Sequence, residues 1–80
     1  MTIYILHEIY DTFDSDHELF TNKNLAEKIF GHMREKVLNE SKDEMLPYAV
    51  EVYRDEKNDL SILNSSDEHV RVFITEHIID

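Results

Sequence analysis

Only one stretch of this 80-residue chain has helical periodicity, and apolar residues alternate on both sides of it. A single helix covers one face of an antiparallel sheet and leaves the other face open. That arrangement restricts the fold more than any other feature. In "NKNLAEKIFGHMREKVLNE", Leu25, Ala26, Ile29, Phe30, Met33 and Val37 form one stripe, with Lys28, Arg34 and Glu35 off it. Thr21 or Asn22 supplies the N-cap. Gly31 projects away from the stripe, and Pro47, after "ESKDEML", bars continuation.

The flanking segments read as strands. "TIYILHEIY" gives a strand over Ile3 to Tyr10, rich in β-branched and aromatic residues. After the acidic run "DTFDSD", "HELFT" returns as a second strand, so the opening is a hairpin with Asp, Ser and Thr as turn residues. "YAVEVYR" (Tyr48 to Arg54) is the next strand, "DEKND" a turn, "LSIL" a short strand and "NSSDE" another turn. "HVRVFITEHII" closes the chain as a strand. The expected fold is α+β, one domain over residues 1–80: an antiparallel sheet of four or five strands with one helix packed on one face, in the order β-β-α-β-(β)-β.

Alternation also predicts the two sheet faces. Ile3, Ile5, His7, Ile9, Val50, Val52, Val70, Val72 and Ile74 are expected beneath the helix. Tyr4, Leu6, Tyr10, Tyr53 and Phe73 then share the uncovered face with Glu8 and Glu51. A mixed aromatic and acidic surface outside the core points to a partner.

Charge is unevenly spread. The net charge is −10; residues 1–20 hold five carboxylates and no Lys or Arg, residues 21–47 balance, and residues 48–80 hold eight carboxylates against Arg54, Lys57 and Arg71. Such a field repels nucleic acid and anionic membranes and attracts basic surfaces. Acidity also serves plain solubility, and the segregation is what favours a docking role. There is no cysteine, and the first Lys or Arg is Lys23, so no disulfide, thiolate metal site or basic leader is expected. The expected location is the cytoplasm.

Metal binding and catalysis find little support. From Asp14, "DSDHEL" places carboxylates at alternate positions as a calcium loop does, but Leu19 stands where glycine belongs and Leu25 where glutamate belongs. His7, His17, His32, His69 and His77 fit no known zinc spacing. With Gly31 the only glycine, no phosphate-cradling loop or nucleophile elbow forms. The serines lie in turn-like contexts without a paired base. The sequence therefore predicts no enzyme, no cofactor and no metal.

Charge display remains. Asp14, Asp16 and Glu18 on extended backbone recur along one side about every 6.6–6.8 Å, where like charges repel by only about 0.6 kcal/mol per pair in water. The expected contact residues are Asp11, Asp14, Asp16 and Glu18, with Glu51, Asp55, Glu56 and Asp59 extending the acidity. Tyr10, Tyr53 and Phe73 are the candidate apolar anchors, since aromatic groups dominate interface energies while rim charges set on-rate.

The pattern "YILHEIYD…HELFTNKNLAEKIF", within residues 3–30, resembles a loose group of small phage and bacterial proteins. Its marks are an opening strand, an acidic hairpin, an aromatic residue and a capped helix starting with Ala-Glu. More broadly the chain is similar in kind to phage-encoded anti-defence inhibitors, including anti-CRISPR and anti-restriction proteins. That likeness implies a non-enzymatic DNA mimic occupying the nucleic-acid site of a basic host protein or ribonucleoprotein. It transfers no residue roles. Two alternatives stand beside it: a structural protein that forms a homodimer through the uncovered sheet face, and an antitoxin or immunity protein against a basic nuclease.

Overall fold

Local chemistry starts the helix at Asn22. Its side-chain oxygen accepts from the Leu25 N–H at 3.2 Å, and its carbonyl accepts from the Ala26 N–H at 3.0 Å. The side chain thereby satisfies one of the orphan donors of the helix start, and the carbonyl accepts the first bond of the helical ladder. The computed structural model describes residues 1–10, 15–40, 51–63 and 68–79. Its elements follow in the order β1 (Thr2–Tyr10), β2 (Ser15–Phe20), α1 (Lys23–Glu40), β3 (Glu51–Glu56), β4 (Asp59–Leu63) and β5 (His69–Ile78). The five strands form one antiparallel sheet, and α1 packs on one of its faces. The α+β class and element order match the sequence reading.

The sheet runs β2-β1-β5-β4-β3. β5 therefore lies between the two hairpins, pairing β1 from Thr2↔Ile78 to Tyr10↔Val70 and β4 from Asp59↔Phe73 to Leu63↔His69. Beyond the ladder, the Met1 ammonium donates to the Ile79 carbonyl at 2.9 Å, and the Ile79 N–H donates to the Met1 carbonyl at 2.7 Å.

The core lies between α1 and the sheet. Leu6, Leu60, Ile62, Val70 and Val72 are buried against Ala26, Phe30 and Val37, with Tyr10, Phe20, Ile29, Met33, Leu38 and Ile74 at its margin. Fully burying side chains of this size stabilises by about 1.5–3 kcal/mol each. Leu25, expected on the buried stripe, is 45% exposed at the helix start.

β1 presents the opposite face from the one expected. Leu6 is 1% exposed beneath the helix, and its register partners, Ile74 on β5 and Glu18 on β2, share that side. Tyr4, Glu8 and Tyr10 therefore also point to the helix side, whereas Ile3, Ile5, His7 and Ile9 point to the uncovered face. Side-chain period two makes this an all-or-none choice. The even set buries Leu6 and half-buries Tyr4 and Tyr10, and the odd set would have carried His7 into the core.

Two further expectations change. Val52 is 51% exposed, because β3 is an edge strand lying beyond the helix. Asp55 and Glu56 belong to β3 and Asp59 to β4, so the turn is only Lys57–Asn58. Asn58 adopts φ 64, a left-handed conformation that asparagine tolerates. Tyr48 to Val50, assigned to the third strand from sequence, lie outside the described residues.

Candidate functional site

The carboxylates divide between the two edges of the sheet. At one edge, β2 alternates Asp16 and Glu18 toward the helix side with His17 and Leu19 toward the uncovered face. Asp16 pairs directly across from Glu8, and Glu18 across from Leu6. Directly opposed side chains stand about 5 Å apart, where two carboxylates repel by roughly 0.8 kcal/mol in water. The edge is wet, and the Tyr10 hydroxyl donates to Glu8, so the pair is tolerated. Glu8, Asp16 and Glu18 line an open groove of 290 Å³ with Leu6, His17 and Met33. Among the described residues no Lys or Arg is ion-paired with any of the three.

At the other edge the two aspartates are already engaged with arginines. Asp55 receives both arms of Arg34, at 3.0 and 2.6 Å, and this hydrogen bonding holds its carboxyl below the usual range. Asp59 accepts from Arg71 at 3.2 and 3.0 Å and from Arg54 at 3.1 Å, which also depresses its pKa. Glu51 accepts from the Tyr53 hydroxyl at 3.3 Å, and Glu56 is exposed. β2 and β3 stand four strand spacings apart, about 19 Å. The acidity expected to run as one ridge is therefore two groups: among the described residues, Glu8, Asp16 and Glu18 at the β2 edge have no paired cation, whereas at the β3 edge Asp55 and Asp59 are neutralised by arginines and Glu51 and Glu56 are not. Asp11 and Asp14 lie outside the described residues.

The aromatic candidates fall in three places. Tyr10 sits beside Glu8 on the helix side. Tyr53 is 55% exposed on β3, with its ring 5.7 Å from that of His69. Phe73 lies mid-sheet on the uncovered face. There its ring stacks on His7 at 4.5 Å, with the planes 8° apart.

That stack belongs to a row the sequence reading did not assemble. His17 meets His7 edge-on at 4.8 Å, and the Arg71 guanidinium lies 4.0 Å over the Phe73 ring. The Thr75 hydroxyl lies within hydrogen-bond reach of His7 Nε2 at 2.7 Å and His77 Nε2 at 2.9 Å. Partial burial, aided by the fields of His17, His77 and Arg71, lowers the His7 pKa below 6.5. The signal for this row was alternation within β5, which sets Arg71, Phe73, Thr75 and His77 on one side. Only the β1–β5 register brings His7 to them. Among the described residues no group of three or more His, Asp or Glu is disposed to hold a metal ion. No described helix is long and apolar enough to cross a membrane. Comparison finds no family model that matches the chain, and no significant match among curated proteins or solved structures.

Proposed function

We propose that this chain is a non-enzymatic inhibitor that docks an acidic edge onto a basic, nucleic-acid-binding protein in the cytoplasm. The observation behind this reading is the Glu8, Asp16 and Glu18 group: three carboxylates on one side of the β1–β2 edge, with no cation paired to them among the described residues. A partner that grips phosphates with Lys and Arg gains electrostatic complementarity on meeting such a group. Asp55 and Asp59 contribute less, because removing their arginines would break existing hydrogen bonds. Of the acidic residues expected from sequence, Asp16 and Glu18 keep the leading role and Glu8 joins them.

The test is capture of basic proteins from a bacterial lysate at about 50 and about 200 mM salt, with duplex DNA as competitor. Capture that weakens with salt, is displaced by the duplex and is lost in the Asp16→Asn/Glu18→Gln variant is the expected result. Capture of no basic protein, or capture indifferent to both duplex and variant, overturns the proposal.

A further inference from the structure

The uncovered sheet face carries a second inference, separate from the acidic contact because it lies on the opposite side of the sheet. Among the described residues no element packs on it, although Ile5, Ile9, Leu19, Leu63 and Phe73 point outward there. Leu19 is 66% and Ile9 39% exposed. We propose that this face is the interface of a homodimer, two copies meeting sheet to sheet.

Area is the first argument. Five strands at about 4.8 Å spacing, averaging roughly seven residues at about 3.3 Å each, give near 600 Å² of footprint per copy. Two copies bury about 1,200 Å², the lower bound of stable interfaces.

Polar satisfaction is the second. Arg71 and Arg54 both bond Asp59, Arg71 also covers the Phe73 ring, and Thr75 bridges His7 and His77. The six polar side chains of this network are thus satisfied within the chain, so covering them leaves few of their bonds unmade. What remains to be matched is shape and apolar area. A second sheet of identical twist supplies both, aligned at about −30°.

Charge is the third. Glu8, Asp16, Glu18, Asp55 and Glu76 point to the helix side by register. Among the described residues the uncovered face holds Arg54 and Arg71 against Glu51, Glu56 and Asp59, with Glu51 and Glu56 on the outer strand β3. On a chain of net charge −10 this is the nearly neutral side. Sheets packed about 10 Å apart keep the helix-side carboxylates of two copies more than a Debye length from one another at physiological salt.

Sedimentation equilibrium of the full chain tests the proposal, with Leu19→Asp and Tyr53→Asp at opposite edges of the face and Leu25→Asp on the helix as control. Leu19, Tyr53 and Leu25 are all substantially exposed, so each variant is expected to fold, which circular dichroism checks. A species of twice 9.6 kDa is expected. Leu19→Asp and Tyr53→Asp should each weaken it at least about tenfold by burying an uncompensated carboxylate, and Leu25→Asp should not. A monomer at about 100 μM, or a dimer indifferent to both face variants, or one equally sensitive to Leu25→Asp, overturns the proposal.

Discussion

Truncating neighbouring residues of β1 tests which of its faces is the core. Leu6 is 1% exposed, in the cluster with Phe30, Val37, Leu60, Ile62, Val70 and Val72, whereas Ile5 points to the uncovered face and is half-buried. Leu6→Ala should cost about 2–5 kcal/mol, the sum of lost transfer energy and the cavity left under the helix. Ile5→Ala should cost about 1 kcal/mol, since part of its surface is already wet. In a domain of this size each kcal/mol shifts Tm by about 4–8 °C, so Leu6→Ala should melt some 10 °C or more below the parent. Urea unfolding at about micromolar protein is the assay, because dimerisation would add a concentration-dependent term to Ile5. An Ile5→Ala loss equal to or larger than that of Leu6→Ala would refute the face assignment and every placement derived from it.

Two other perturbations probe the helix and the histidine row. A Cβ built on Gly31 meets nothing within 4 Å, so Gly31→Ala should stabilise by up to about 1 kcal/mol through helix propensity, read as a higher urea midpoint at unchanged slope. The folded state lowers the His7 pKa below 6.5, so between those two values the unfolded chain binds the extra proton. Stability should accordingly fall as pH drops through 6.5 and level off once pH is below the folded value; His7→Gln should flatten that part of the curve, and an unchanged slope would contradict it.

Much of the architecture was written locally. The Asn22 cap, the helical stripe and the β1–β2 hairpin follow from neighbours in the chain and are legible in the sequence. The face of β1 did not follow, because Ile3, Ile5 and Ile9 look like core by side-chain type. What decides is the register against Val70, Val72 and Ile74, which pair with Tyr10, Glu8 and Leu6 from the far end of the sequence. The same non-locality split the acidic residues. Asp16 and Asp55 appear in similar strand-and-turn contexts, yet the insertion of β5 sends their strands to opposite edges. Which carboxylates would be neutralised was equally hidden, since Arg34 reaches Asp55 across 21 positions and Arg71 reaches Asp59 across 12. Charge totals carry no information about such pairings.

The position of β5 has a consequence for how the molecule is made. As the chain leaves the ribosome, the two hairpins emerge with no hydrogen bond to join them, since both must wait for the strand between them. Until His69–Ile78 arrives, the apolar stripe of α1 has only part of its sheet to cover, and one margin of β1 and one of β4 stand unpaired. Closure of the long loop between β1 and β5 must precede the contacts that reward it. Assembly of the sheet should therefore wait for β5, and a nascent chain stalled just before residue 69 should leave those two margins open to other chains.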